Sequence, residues 1–460
     1  MLPEAVSDYL ESHWDHHLDG LLEFLRFPSV ANDRSTPDPC ARCAAWLAGR
    51  IQSLGLPAEV IPTAGKPAVL AGDLSAGEGR PTLLAYAHYD VQPPDPLDQW
   101  ESDPFEPAIR DGAIHARGAS DDKGPLWAIL MAVEAWRQAG GGLPVNLKLF
   151  FEGEEEVGSP NVEAFLEAYR DRLGADAAVV ADSLFFARDL PSITYGLRGI
   201  CYFEVTFSGP GRDLHSGSHG GPVANPAMAL AAMVAALHDS DGRVTIDGFY
   251  DDVEPVTDAE RQAWAGLPFD ERKYAASLGV SGFAGGERGL PVLERLWGRP
   301  TVECNGIHGG YTGPGSKTII PASASAKISM RLVPRQDPPR IVDAFRTFVA
   351  EHTPAGIRSD AKVFAAARPV LVPPDSDIIR IGRDAMREAF GRDAALVRCG
   401  ASVPVTEVIR RILGADPLVL GVGLPDDNLH APNEKYELDM LRGVSRTMAA
   451  LLGRLAEDRQ

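Results

Sequence analysis

An apolar run, residues 145–151, passes through Glu152-Gly153 into three successive glutamates, Glu154-Glu155-Glu156, closed by Val157-Gly158-Ser159. Adjacent carboxylates repel and raise one another's pKa. A solvated acidic turn tolerates that. At the end of a buried strand a divalent cation removes the cost, and lets one glutamate serve as ligand while its neighbour acts as a base. His88, Asp121, Asp182 and His430 are further candidates. With Glu156 they supply two imidazoles and three carboxylates, which suits two borderline-hard divalent ions if one carboxylate is shared. Each ion then takes one histidine, one terminal carboxylate and the shared aspartate. A water between the ions becomes a nucleophile near neutral pH. Glu155 is placed to take its proton and pass it to a leaving amine. Asp90, two residues after His88, is placed to hold the other nitrogen of that imidazole. Mixed histidine and carboxylate donors suit Zn2+, Mn2+ and Co2+ alike.

The elements that must position these residues follow from apolar periodicity. Runs at 82–87, 145–151, 177–181 and 417–422 read as buried strands, and each leads into a candidate: His88, the Glu154 to Glu156 run, Asp182 and His430. Helical patterns at 39–54, 125–138 and 161–172 alternate with them. The expectation is an α/β fold, a mostly parallel central sheet with helices on both faces and a site beyond the strands' carboxyl ends. Residues 4–27 read as one amphipathic helix, with His13, His16 and His17 on a solvated face. The middle differs. Strands at 200–208, 324–333 and 360–367 with helices at 224–238 and 339–351 form a smaller α+β unit, interrupted by an unusually long stretch at 239–300. The expected division is 1–196 and 371–460 as a catalytic domain, with 197–370 inserted as a lid and dimerisation domain.

Composition bounds the partners. The 460 residues carry a formal net charge of −20, with 45% hydrophobic and 23% charged residues. That is an ordinary globular balance, too acidic for nucleic acid or an anionic membrane, and it fits a soluble cytoplasmic protein. Residues 1–18 lack the apolar stretch of a signal peptide, and no run reaches the ~18 apolar residues of a membrane span. Five scattered cysteines make a disulfide framework unexpected, and Cys40-x-x-Cys43 lacks the second pair or preceding strand that a metal or redox role requires.

Taken together, His88-x-Asp90, Gly118-Ala119-Ser120-Asp121-Asp122-Lys123-Gly124, Glu155-Glu156-Val157-Gly158-Ser159, Asp182 and His430-Ala431-Pro432-Asn433-Glu434-Lys435 resemble the dinuclear zinc peptidases that include aminoacylase, carboxypeptidase G and the carnosinase-like dipeptidases. The similarity is greatest to the carnosinase-like branch. It extends through Val91-Gln92-Pro93, residues 100–107, Asp213-Leu214-His215-Ser216-Gly217, residues 315–321, Arg331-Leu332-Val333-Pro334 and residues 402–406, nearly the whole chain. The resemblance implies that zinc is the metal and that Asp121 bridges two ions through a cis Asp121–Asp122 peptide. It implies that Arg331 binds a substrate carboxylate, with Gly400 and Ser402 in a turn at the substrate's end. It also implies a homodimer formed through the lid, in which His215 and Thr318 act in the partner's active site. Asn305 and His308 read as structural residues of a glycine-rich lid loop. One position departs. Similar dipeptidases have a glutamate before the Gly-Gly-Ser segment, where this chain has Cys399. The activity implied is dipeptide hydrolysis. An N-acyl-amino-acid amidohydrolase is the alternative that Cys399 leaves open, and a catalytically silent scaffold is the alternative of another class.

Overall fold

The computed structural model describes residues 2–36 and 38–458. The chain forms two units. The first comprises residues 1–195, 372–397 and 403–460; the second comprises 196–371 and 398–402. Residues 398–402 therefore group with the second unit rather than with the C-terminal segment in which the sequence division places them.

In the first unit the strands lie in the order Ala58–Ile61, Ala68–Asp73, Asn146–Glu152, Thr82–His88, Ala177–Val180, Pro417–Leu420, Ser192–Leu197. The middle four are parallel. The flanking pairs are antiparallel, so the sheet is mixed and parallel only at its centre. Chain length explains the outermost of these pairs. The short link between Ala58–Ile61 and Ala68–Asp73 permits only a hairpin, whereas parallel neighbours need long crossovers. The central strands are mostly apolar and largely buried, as expected of strands covered on both faces. Helix Lys123–Ala139 packs against Thr82–His88 and against helix Leu438–Glu457. The latter buries Met440, Leu441, Val444, Met448, Leu451, Leu452 and Leu455, a stripe at helical spacing.

The second unit has a four-stranded antiparallel sheet in the order Thr301–Gly309, Ser323–Leu332, Gly199–Ser208, Arg358–Ala367. Strand Gly199–Ser208 alternates strictly. Cys201, Phe203, Val205 and Phe207 point into a core shared with helices Pro226–Ala235 and Pro338–Glu351. Strand Thr301–Gly309 replaces the loop expected around Asn305 and His308. Its glycines and exposed polar residues mask the alternation that marks the other strands. The 239–300 stretch folds into helices Asp258–Ala265, Glu271–Ser277 and Val292–Trp297.

Residues 4–27 form two helices, Glu4–Ser12 and Trp14–Leu25, separated at His13. The shared solvated face for the three histidines is wrong for His17, which is fully buried. Among the described residues neither of its ring nitrogens has a hydrogen-bond partner, and the nearest carboxylate oxygen, on Glu134, is 3.9 Å away. Burial, and then the neighbouring charges of His16, Arg50 and His13, push His17 down to about 3. The unfolded chain, whose histidine titrates near 6.5, takes up a proton first. This contribution to stability is therefore complete above pH 6.5 and declines as pH falls toward 3, by roughly 1.4 kcal/mol per unit. Urea melts at pH 7.5 and 5.5 should show the native protein losing roughly 1 kcal/mol more than a His17→Leu variant over that interval.

Candidate metal centre

Three of the parallel strands end beside one another in a way that fixes the donors. His88 closes its strand in register with Glu152, so the turn carrying Glu154, Glu155 and Glu156 begins beside it. Asp182 lies two residues beyond Ala177–Val180. His430 comes from the loop after Pro417–Leu420 and has a left-handed backbone, φ 60°. Asp121 lies just ahead of helix Lys123–Ala139, and the Asp121–Asp122 peptide is cis.

Asp121 faces both histidines. Its Oδ1 lies 3.1 Å from His88 Nε2 and its Oδ2 lies 3.0 Å from His430 Nε2. Glu156 Oε2 is 3.3 Å from the same His430 nitrogen. Two donor groups result, His88 with Asp121 and Asp182, and Asp121 with Glu156 and His430. Within each, the donor atoms lie within 4.8 Å of one another. The electrostatics fit a cationic occupant. Burial, then the surrounding carboxylates, push Asp182 up to about 7 and Glu155 well above its ordinary value. Hydrogen bonds to Asp121 and Glu156 push His430 up to about 10. Burial pulls His88 down, but its bonds to Asp121 and Asp90 outweigh it and leave the imidazole well above 6.5. With protons alone the cluster holds positive charge on both imidazoles. Divalent cations meet the same demand with the imidazoles neutral, as ligands must be.

Asp90 does two things. His88 Nδ1 lies 3.0 Å from its carbonyl oxygen and 3.4 Å from its carboxylate. That carboxylate also accepts the backbone N–H groups of Glu155 and Glu156, at 3.3 and 3.0 Å. It therefore ties the histidine strand to the glutamate turn. Gln92 adds a second tie, donating to Glu156 Oε2 at 2.9 Å.

Sequence reasoning did not single out Glu434 or Asp427. Glu434 is fully buried. It accepts from Ser120 N and Asp121 N through one oxygen, and from Arg117 Nη1, at 2.6 Å, and Gly118 N through the other. Asp427 accepts from Ser120 Oγ at 2.8 Å and from Leu424 N at 2.7 Å. These two acids from the end of the chain clamp the segment that presents Asp121. The available signal was the placing of Glu434 within the motif that carries His430. Gly118 has φ 83°, and a Cβ there would sit 2.6 Å from Val91 Cγ1, so both conformation and space require glycine.

The remaining candidates belong to the second unit and form two groups. His215 and Thr318 are exposed where Leu214–His215 pairs with Ile319–Ile320. His215 Nδ1 accepts the N–H groups of Gly217 and Ser218, so its proton is on Nε2, 3.5 Å from Thr318 Oγ1. Arg331, Gly400 and Ser402 come together around Arg198. Arg331 Nη1 donates to Ser402 Oγ at 3.0 Å, Ser402 Oγ donates to Arg198 O, and Arg198 Nε donates to Gly400 O at 2.9 Å. Cys40 and Cys43 are buried on helix Pro39–Ser53, and burial raises both thiols above their ordinary value, which makes them inert.

Paired donor triads around the carboxyl ends of parallel central strands, with Glu155 beside them, are the arrangement of a metal-dependent hydrolase. Residues 84–454 match the model of peptidase family M20/M25/M40, and the chain belongs to that family. It is similar to the Cys-Gly metallodipeptidase of Schizosaccharomyces pombe, at 34% identity over 96% of each chain. It is also similar to the human Beta-Ala-His dipeptidase, at 31% identity over 94% of this chain and 89% of that protein. Among solved structures, a family metallo-carboxypeptidase from Sulfolobus solfataricus matches with a TM-score of 0.86 and 32% identity, over 96% of this chain and 99% of that one. No helix among the described residues is long and apolar enough to cross a membrane.

Replacing Glu434 with Gln leaves Arg117 buried without its counter-charge. Breaking such a pair costs about 3–5 kcal/mol. The Glu434→Gln protein, kept free of metal by chelation, should unfold at markedly lower denaturant than the native chain. Calorimetric titration should show metal binding weakened ~10- to 100-fold.

Proposed function

We propose that this chain is a dipeptidase that uses two divalent cations, Zn2+ first and Mn2+ or Co2+ as alternatives, to hydrolyse small peptides ending in a free carboxylate. The observation that carries this reading is the division of the Asp121 carboxylate between two triads, each completed by one imidazole and one further carboxylate. His88, Asp121 and Asp182 would hold one ion, and Asp121, Glu156 and His430 the other. Bound there, the ions supply Lewis acidity, lowering the pKa of a water and polarising the amide carbonyl. The relatives named as dipeptidases support the substrate class.

The remaining work falls to side chains of this protein. Glu155, half-buried beside Glu156, takes the proton of the attacking water and delivers it to the leaving amine. Asp90 keeps the His88 ring and the glutamate turn in register. Arg331 takes the substrate carboxylate with its planar guanidinium, and Gly400 and Ser402 form the turn beside it. His215 presents an Nε2–H donor because its other nitrogen is already occupied by two backbone donors. That donor stabilises the oxygen that gains charge as the carbonyl is attacked, and Thr318 contacts substrate next to it.

The reading includes a homodimer formed through the second unit. Two features support it. Helix Pro226–Ala235 is apolar all round and leaves Met228 exposed, and Thr301–Gly309 is a sheet edge with no neighbour on its outer side among the described residues. In such a dimer His215 and Thr318 serve the partner's site. An acidic chain acting on small solutes fits a cytoplasmic enzyme.

Chelation should abolish hydrolysis of free dipeptides, and added zinc or manganese should restore it. Full turnover in exhaustively demetallated protein would refute the metal reading. Glu155→Gln should retain both ions and lose roughly 100-fold or more in kcat, whereas Glu156→Gln should lower metal content.

The dimer is tested by complementation. His215→Ala and Glu155→Gln proteins, each nearly inactive alone, should regain activity once their subunits exchange, because one site of each mixed dimer keeps both groups. Mixed dimers that form and stay inactive would show that His215 does not act across the interface.

A further inference from the structure

Residues 398–402 are the only part of the chain beyond residue 371 that groups with the second unit, and two sets of contacts hold them there. One comes from Arg198. Its backbone N–H donates to Ala401 O at 3.2 Å, its Nε donates to Gly400 O at 2.9 Å, and its carbonyl accepts from Ser402 Oγ, which in turn accepts from Arg331 Nη1 at 3.0 Å. The other comes from the long 239–300 stretch. Arg398 is buried, and its Nη2 donates to Glu260 Oε1 on helix Asp258–Ala265. Its guanidinium carbon lies 5.5 Å from the centre of the Trp264 ring, one turn further along the same helix. A Cβ on Gly400 would come within 2.9 Å of Arg198 Nη2 and 3.2 Å of Leu296 O, so the glycine lets the turn approach both sides closely.

The helix that receives Arg398 is itself braced. Glu260 Oε2 accepts from Thr257 N at 3.0 Å and from Thr257 Oγ1 at 2.9 Å and completes a capping box, while Oε1 takes Arg398. The next residue, Arg261, grips Glu294 of helix Val292–Trp297 through two bonds of 2.9 Å, and Trp264 packs edge-on against Trp297 with ring centres 5.2 Å apart. A buried guanidinium needs a counter-charge, and this one comes from 138 residues away. Local structure alone therefore does not place the turn. We infer that Glu260 is a positioning residue for substrate binding, and that the 239–300 stretch serves to supply it. Through Arg398 it seats the turn whose Gly400 and Ser402 stand beside Arg331. This deepens the dipeptidase reading and rests on it for the contact of that turn with substrate. Glu260 acts through Arg398 and not on the substrate itself.

Binding at the carboxylate end should be lost separately from chemistry. Glu260→Gln removes the charge and keeps a side chain able to close the capping box, so the start of the helix survives. On the metal-loaded enzyme it should raise KM for the free dipeptide Ala-Ala by ~10-fold with kcat nearly unchanged, as expected when a few loosened groups must be ordered on binding. Its kcat/KM for Ala-Ala amide, which lacks the carboxylate, should stay at the native value. Arg398→Gln should behave alike, Arg398→Lys should recover much of the loss, and Glu260→Gln with Arg398→Gln should do no more than Arg398→Gln alone. A merely structural pair would lower stability and leave the ratio between dipeptide and amide intact. Hydrogen exchange read by mass spectrometry needs no turnover. In Glu260→Gln it should quicken in the peptide covering residues 398–402 and stay native in helix Pro226–Ala235. If no dipeptide is hydrolysed, the dipeptidase reading fails while exchange still decides whether Glu260 seats the turn. A native ratio of dipeptide to amide, or native exchange in the turn, overturns the inference.

Discussion

Asp121 presents one carboxylate oxygen to each of two imidazoles, at 3.1 and 3.0 Å, and much of the first unit can be understood as what it takes to hold it there. A carboxylate with two partners loses its use if it rotates, so the peptide that carries it must be fixed at both ends. Downstream, helix Lys123–Ala139 begins at once and is buried along nearly its whole length. Upstream, Glu434 takes the backbone N–H groups of Gly118, Ser120 and Asp121, and Asp427 takes the hydroxyl of Ser120. Burying Glu434 raises its carboxyl to about 7, in spite of Arg117, and the four donors around it are what make that burial tolerable. The supporting acids are therefore as deeply committed as the donors they support.

The glutamate turn solves a related problem. Glu155 and Glu156 need different environments although they are adjacent. The backbone anchors both to Asp90, while the side chains diverge. Glu156 engages Gln92 and His430, and among the described residues the Glu155 side chain has no such tie. Two neighbours of one residue type thereby meet different partners, which is what the proposed ligand and base roles require.

Much of this was legible in the sequence because strand ends and donors coincide. His88, the glutamate turn and Asp182 each follow an apolar run, and apolar runs are the strongest signal a sequence carries. The alternating strands of the second unit were readable for the same reason, with Phe203 and Phe207 marking a half-buried face. What escaped depends on long-range partners. Glu434 lies more than 300 residues from the Ser120 and Asp121 amides that define its role. Residues 398–402 leave their neighbours in sequence for the other unit, where Arg398 meets Glu260 from the 239–300 stretch and Gly400 meets Arg198. Strand Thr301–Gly309 was hidden because an exposed sheet edge needs no apolar alternation. His17 was misread because its neighbours in sequence are exposed and its burial comes from other elements. The carbonyl of His17, for example, accepts the indole N–H of Trp127.

Strand Pro417–Leu420 lies between Ala177–Val180 and Ser192–Leu197, two strands that are close in sequence. Its slot therefore stands open through more than two hundred residues of synthesis, while the second unit, contiguous from 196 to 371 apart from five residues, already has its own sheet strands in hand. Until residues 417–420 emerge, the nascent sheet carries two bare edges at its centre, and His430 and Glu434 do not yet exist to complete the donor set or to clamp Asp121. The centre of the sheet can therefore close only after the segment carrying residues 417–420 has been made. The strand that closes the sheet is made just ahead of His430, so both donor groups are complete only in a chain whose sheet is ready to be sealed.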